Sequence, residues 1–541
     1  MQDKHLSPAR AAGIRLVRRG PDATAPMRKD GQLTVPSAES AGSPRFDGGA
    51  GVGQPGFVAR YGLLTDEQLA AAHQVVGRIH ELDLRTVRFV VVDQHGIPRS
   101  RWLSAQAAME TFTNGLDFSG AIYSMDTGNN VFVPPFARGG GFGIEEFTGF
   151  PDVVVVPDPA TFRVLPWADR TGWILCDVYF SNGQPVPLDG RGLMRRILGE
   201  LAGAGYDYLA GLEVEYHILK LDGEPLTPEN AGFTPVPPRV SVFERGYQFA
   251  SEMRLDSVAS TLEALRDGLT AVGLPPRSME DEWGPGQMEF TFAPMSGLAA
   301  ADAAVLFRTA VKQICQRRGL LATFMCWPGL PNFFASGWHL HQSLIHRDTG
   351  QNAFASPDGP LSGAGRQYVA GLLDHTVPMM VFAAPTVNGY RRFRSYSFAP
   401  DRITWALENR GTLIRVQGSP GDRSSHVENR LGEPAANPYL YMAANIAAGM
   451  DGIRRGLDAT PVQEDPYAAQ APMLPTSLDE AVSALEKDEF YMTAFGSSFV
   501  NYIIQLKRYE LKRYQAAMAE NPPAEGQVVS DWEMREYFEF F

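Results

Sequence analysis

Cysteine is scarce. Three occur in 541 residues, Cys176, Cys315 and Cys326, and none sits in a C-x-x-C pair. That excludes a disulfide scaffold and a cysteine-based zinc site, and scattered thiols fit a reducing cytoplasm. Long apolar runs are missing as well. A membrane helix takes roughly 18 or more apolar residues, whereas the longest stretch here, Pro378 to Val387, is short and broken by Pro385. The first residues carry no apolar core of a secretory signal, so the expected location is cytoplasmic, with no membrane partner. Positive charge is in deficit, 48 Lys and Arg against 61 Asp and Glu, for a net charge of −13. This balance argues against a nucleic-acid partner. No G-x-x-x-x-G-K-[ST] run occurs, and the one G-x-G-x-x-G run, Gly51-Val-Gly-Gln-Pro-Gly56, falls in the Gly- and Pro-rich first sixty residues with no strand-like run before it. A bound phosphate is therefore not cradled by a glycine-rich helix start.

The composition present, 44% hydrophobic and 20% charged, is that of a globular chain. The length suggests two to four domains at roughly 100–200 residues each. Residues 1–61 read as a disordered basic tail: the first sixty hold nine Gly, six Pro, and nine Lys or Arg against five Asp or Glu, without periodicity. Thr65-Asp-Glu-Gln68 has the form of a capping box and opens a helix with Leu69, Val75, Val76 and Ile79 on one face. A β-branched run at Val87–Val92, a turn at Asp93–Gly96 and strand-like runs at 153–157 and 173–179 follow. Residues 62–165 are expected to form a small α+β domain and 166–541 the larger one, with helices at 191–204, 257–272, 299–317, 477–487 and 498–517.

Polar residues two apart recur inside strand-like runs, and such residues share a face. They are Glu213 and Glu215, His339 and His341, and Glu428 and Arg430. Glu282 and Glu289 are separated by an odd number, but Gly284-Pro285-Gly286 between them forces a bend that can return both to one side. Each pair alone reads most simply as a solvated strand face or a pair of structural histidines. Taken together, five glutamates and one imidazole form an oxygen-rich set that suits Mg²⁺ or Mn²⁺, ions that commonly handle nucleotide phosphates. Eight arginines lie between Arg391 and Arg430, and their planar forks suit carboxylate and phosphate ligands.

These motifs resemble the glutamine synthetase superfamily over about residues 62–541. The resemblance is carried by Glu213-Val-Glu215, Glu282-Trp-Gly-Pro-Gly-Gln-Met-Glu289, Ser336-Gly-Trp-His-Leu-His-Gln-Ser343, Asn388-Gly-Tyr-Arg-Arg392, Glu408-Asn-Arg-Gly-Thr-Leu-Ile-Arg415 and His426-Val-Glu-Asn-Arg430, in the family's order. It implies an α+β fold with a β-grasp-like N-terminal domain and a catalytic domain on a curved antiparallel sheet. It further implies a homo-oligomer of two stacked hexameric rings with active sites at subunit interfaces. By motif position, Glu215, Glu282 and Glu289 are similar to the ligands of one metal, and Glu213, His339 and Glu428 to those of another. The implied cofactors are Mg²⁺ or Mn²⁺, roughly two or three per site, with ATP as co-substrate. Arg392, Arg430 and Gly337 are similar to glutamate-binding residues, and His341, Ser343, Arg415 and Arg423 to ATP-binding ones. Arg410 resembles the arginine that neutralises the moving phosphoryl group. Asp117 resembles the aspartate that helps bind the amine across the interface.

The chain departs from that pattern at one telling place. Glutamine synthetases carry a glutamate six residues beyond the arginine of Asn-x-Tyr-Lys-Arg, and six beyond Arg392 here is Phe398. The family's Asn-Gly-Ser-Gly is Phe334-Ala-Ser-Gly337, and Trp283 and Trp338 add aromatic bulk. An apolar cover with aromatic walls favours a small hydrophobic amine over ammonium, as in the superfamily's γ-glutamylanilide and alkylamide synthetases. Three readings are open. The chain is a glutamate–amine ligase with Trp283, Phe334, Trp338 and Phe398 at the amine; or a glutamine synthetase in which Glu408 or Asp401 replaces the missing acid; or a non-catalytic homologue.

Overall fold

The computed structural model describes residues 56–223, 227–246 and 248–541. The expected tail lies outside these residues except at its end, which is ordered earlier than its composition suggests. Phe57–Tyr61 is a short helix closed by Gly62 in the left-handed conformation (φ 60°), with Val58 buried. The reason is local packing: Gly56 lies so close to Thr113 that a Cβ would stand 2.6 Å from its carbonyl oxygen. The capping box then starts Asp66–Glu81 as expected, with Thr65 Oγ1 accepting from Gln68 N at 3.2 Å and Gln68 Oε1 from Thr65 N at 3.0 Å.

The smaller sheet comprises β1 (Thr86–Val92), β2 (Pro98–Ser104), β3 (Leu116–Ser119), β4 (Asp152–Pro157), β5 (Arg163–Val164) and β6 (Thr171–Tyr179) in the order β2-β1-β6-β4-β3, β5 pairing with β6. The domain boundary expected at 165 therefore falls too early. β6 lies in the middle of this sheet, parallel to β1 with Val90 opposite Leu175 and antiparallel to β4 with Val155 opposite Val178. A pairing between residues some eighty positions apart leaves no local mark on either strand.

The larger sheet holds β7 (Tyr206–Leu221), β8 (Val240–Ser241), β9 (Pro276–Asp281), β10 (Gln287–Phe292), β11 (Met295–Ser296), β12 (Leu320–Thr323), β13 (Trp338–His346), β14 (Trp405–Leu407), β15 (Ile414–Gln417) and β16 (His426–Gly432). Its main path is β14-β15-β16-β13-β7-β10-β9, antiparallel throughout except between β14 and β15. One face of β7 is apolar, Leu212, Val214 and Tyr216 all buried, and Tyr216 stacks on Phe324 at 5.0 Å. Behind the sheet runs Pro438–Arg455, a helix apolar nearly all round and so almost wholly buried. The apolar run near Pro378 is likewise a buried helix, Thr376–Ala383. Among the described residues no helix is long and apolar enough to cross a membrane.

The two sheets are joined through buried charge. Arg191, at the start of the helix Gly190–Gly203, donates to Asp158 after β4 (2.7 Å), to both oxygens of Asp302 (3.0 and 2.8 Å), and to Asp177 on β6. Asn437 adds a second tie, its Nδ2 donating to the carbonyl of Asp93 at 3.0 Å. Removing one partner of a buried ion network leaves uncompensated charge, which costs about 3–5 kcal/mol. Arg191→Met is therefore expected to lower stability by about that amount, read as a lower urea midpoint, with Arg191→Lys recovering part of the loss.

Candidate active site

Strand register carries the period-two rule across the sheet. On β7, Glu213 stands opposite His339 of β13 and Thr291 of β10, and Glu215 stands opposite Glu289 of β10. In a neighbouring row, Gly211, His341 of β13, Glu428 of β16 and Arg415 of β15 lie side by side. Glu289 in turn faces Glu280 of β9, a carboxylate that no motif singled out. Glu282 reaches this face by a different route from the one expected. β9 and β10 form a hairpin, so Glu282, two beyond Glu280, comes opposite Gln287, two before Glu289. The reversal of chain direction, not a bent strand, puts both glutamates on one side. The turn needs its residues: Gln287 N donates to the Gly284 carbonyl, Pro285 holds the first corner, and Gly286 has φ 67°. A Cβ on Gly286 would stand 2.3 Å from the Ile218 carbonyl.

The carboxylates converge. Ligand atoms of Glu213, His339 and Glu428 lie within 4.8 Å of one another, as do those of Glu215, Glu289 and His339. Glu213 accepts from His339 Nδ1 at 2.5 Å and from His341 Nε2 at 2.9 Å, and His341 meets His426 at 3.0 Å. Gln287 Nε2 donates to Glu215 at 3.0 Å and to Ser336 Oγ at 3.1 Å, fixing the carboxylate's direction. The electrostatics are severe. Burial, reinforced by Glu215 and the other carboxylates, pushes Glu282 up to about 8, and burial with repulsion from Glu213, Glu215 and Glu282 pushes Glu289 up to about 10. Burial also opposes ionisation of Glu213 and Glu428, but the histidines, and Arg430 at Glu428, prevail and hold both below the usual range. A set of oxygen donors that cannot all ionise without added positive charge, sharing one imidazole, fits Mg²⁺ or Mn²⁺.

Arginines close the other side. Glu428 is flanked by Arg430 and by Arg415, which lies 3.0 Å from it and also grips Glu408 at 2.6 Å. Arg392 is buried and donates to the Arg430 carbonyl at 2.9 Å. It fits because Gly337 has no side chain: a Cβ there would be 2.7 Å from the Arg392 guanidinium. Ser343 is buried on the β13 face that carries His339 and His341. Arg410 is exposed and lines a cavity of about 540 Å³ with Phe398, Leu407, Glu408 and Val462. Arg423 is exposed on the loop before β16, and Asp117 is exposed on β3, at the edge of the smaller sheet.

Of the four aromatics expected at the amine, Trp283 and Phe398 stack on each other at 6.2 Å and Phe334 is exposed on the loop before β13. Trp338 is a correction. It is 1% exposed, stands opposite Val214, and packs edge-on against Tyr441 behind the sheet. Adjacent strand residues point to opposite faces, so Trp338 cannot share the side that His339 occupies. Asp401 is buried with its carboxylate taken by Ser395, whereas Glu408 borders the same cavity as Phe398.

Glu282 and Glu289 hold protons above the ordinary carboxylate range only in the folded chain, as His341 does relative to an ordinary histidine. At these groups the folded state therefore binds more protons than the unfolded one between about pH 4.5 and about 8, so their contribution to metal-free stability falls as pH rises. Divalent metal supplies the missing positive charge. The rise in thermal midpoint on adding Mn²⁺ should grow across that window and shrink in Glu289→Gln; a gain independent of pH in both proteins would contradict this.

Residues 187–525 match the model of the glutamine synthetase catalytic domain. Among curated relatives, a γ-glutamylanilide synthase from Acinetobacter sp is 44% identical over 491 residues, covering 89% of this chain and 98% of that protein. A glutamine synthetase from Pyrococcus woesei is 31% identical over 467 residues, covering 84% and 97%. Among solved structures, apo GmaS without ligand superposes with a TM-score of 0.69 at 26% identity, covering 85% of this chain and 98% of that one.

Proposed function

Because the chain belongs to the glutamine synthetase family and is an ATP-dependent ligase, we propose that it joins the γ-carboxylate of glutamate to an organic primary amine that is hydrophobic or aromatic. The observation that carries this reading is Phe398, an apolar ring stacked on Trp283 where an ammonium-using site needs a carboxylate. The likeness to a protein named γ-glutamylanilide synthase supports it.

In this reading Arg392 and Arg430 hold the substrate glutamate, Gly337 leaving room for the Arg392 guanidinium beside it. His341, Ser343, Arg415 and Arg423 face the nucleotide, and Arg410 offsets charge on the phosphoryl group in transit. Glu215, Glu282 and Glu289 would hold one divalent ion and Glu213, His339 and Glu428 another; when bound, such ions supply positive charge to the phosphates. The γ-carboxylate oxygen attacks the terminal phosphorus of ATP, releasing ADP and leaving γ-glutamyl phosphate. The amine nitrogen then attacks the carbonyl carbon, phosphate departs with the electron pair of the C–O bond, and the nitrogen loses a proton. Activation is needed because an amine does not displace oxide from a carboxylate at neutral pH. An arylamine is already uncharged at that pH, so no acidic gate is required to deprotonate it before attack. The working form would be a homo-oligomer, a dodecamer of two hexameric rings, in which Asp117 is supplied across a subunit interface to the amine.

A second reading rests on Glu408, which borders the same cavity as Phe398 and Arg410 and offers a carboxylate for ammonium. Its carboxylate is already engaged by Arg415 at 2.6 Å. Steady-state phosphate release with glutamate, ATP and a series from ammonium through methylamine to aniline separates the two. The proposal expects kcat/KM highest for aniline-like amines, and Phe398→Glu shifting selectivity toward ammonium. Fastest turnover on ammonium, or no phosphate release with any amine, would overturn it.

A further inference from the structure

Three rings stand in a row beside the carboxylates. Phe249 stacks on Trp283 at 5.6 Å and 16°, and Trp283 on Phe398 at 6.2 Å and 24°. All three are open to solvent, at 51%, 43% and 65% exposure. A contiguous exposed aromatic patch inside a polar rim marks a binding site rather than a core. Its place is informative. Trp283 directly follows Glu282, and the Phe398 carbonyl accepts from Arg430 Nη2 at 3.0 Å. Trp283 thus adjoins a carboxylate of the cluster, and Phe398 adjoins an arginine of the glutamate side.

The two walls are held in different ways. The Trp283 wall is clamped from behind. Ala250 N donates to the Asp281 carbonyl at 3.1 Å and Ser251 N to Asp281 Oδ2 at 3.2 Å, which fixes the residue next to Phe249 against the strand leading to Trp283. Arg254, buried, pairs with Glu244 at 3.0 Å and Asp281 at 2.9 Å and donates to the Gly284 carbonyl at 3.1 Å, so it holds the chain on both sides of Glu282-Trp283. The Phe398 wall carries backbone strain. Phe398 and Tyr396 have φ of 57° and 59°, a left-handed region costly for side chains with a Cβ. A tie near the ring comes from Tyr467, whose hydroxyl donates to the Ala399 carbonyl at 3.0 Å.

We infer that the aryl ring of the acceptor amine inserts between Trp283 and Phe398, and that Phe249 is the positioning residue that fixes the plane of Trp283 to receive it. This deepens, and rests on, the glutamate–amine ligase reading. A ring held between two walls needs about 7 Å, twice a contact distance of ~3.5 Å, so the two rings, whose centroids stand 6.2 Å apart, separate by about 1 Å to admit it. The site selects a planar, uncharged amine: stacking rewards a π-face, while an ammonium head entering apolar walls loses its hydration. The nitrogen of such a ring points toward the Glu282–Arg430 end, where the acyl phosphate forms.

The test compares wild type, Phe249→Ala and Phe249→Tyr in the full-length protein, with aniline and methylamine as acceptors. For Phe249→Ala, KM for aniline should rise roughly three- to tenfold more than KM for methylamine, with kcat on aniline changing far less. Phe249→Tyr, which keeps the ring, should restore the wild-type ratio. Equal shifts for both amines, or an unchanged aniline KM in a variant with the wild-type thermal midpoint, overturns the slot. If wild type itself shows no aryl preference, the amine assignment fails instead, so the two failures are distinguishable.

Discussion

Carboxylates crowded on one face of a sheet repel one another, and the architecture around them answers that repulsion. Glu213, Glu215, Glu280 and Glu289 sit on three adjacent strands, Glu282 directly follows one of them, and Glu428 lies one strand beyond His339. Side chains temper part of the charge: His339 and His341 bond to Glu213, and Arg415 and Arg430 flank Glu428. Among the described residues no arginine or lysine pairs with Glu282 or Glu289, and there the chain leaves two carboxyls reluctant to ionise. The histidines and arginines are thus gathered at one end, and the opposite end is left for cations that come with the substrate.

This site was legible in the sequence where a local rule governs it. E-x-E, H-x-H and E-x-R each declare a shared face because strands have period two, and register between β7, β13 and β16 merely aligned what each motif already held. The capping box at Thr65 and the helix after it were legible for the same reason. Trp338 shows the rule neglected: as the neighbour of His339 it had to point the other way, and aromatic content alone misassigned it. Glu280, Phe249 and Arg254 carried no local signal. Their roles arise from a hairpin register and from a loop folding back onto β9, contacts that sequence neighbours do not reveal. The smaller sheet's extent was hidden likewise, since β6 joins it through parallel pairing across a long separation.

The acceptor side follows from the carboxylate side. The turn that brings Glu282 opposite Gln287 also sets Trp283 at the surface, and the arginine that flanks Glu428 also holds the carbonyl of Phe398. Aromatic walls and metal-type carboxylates are therefore parts of one construction, and a change of acceptor needs no change in the cluster. In the proposed reading the sheet keeps the charge arrangement, and the loops at its rim decide which amine approaches it.

The central claim is that these glutamates and His339 are gathered to bind divalent ions. Crystals grown with Mn²⁺, ADP and glutamate, and measured for anomalous scattering at the manganese edge, test it most directly. The account predicts one anomalous peak bounded by Glu213, His339 and Glu428 and another bounded by Glu215, Glu282 and Glu289. A cluster without anomalous density while nucleotide is bound, its carboxyls paired through shared protons, would contradict it.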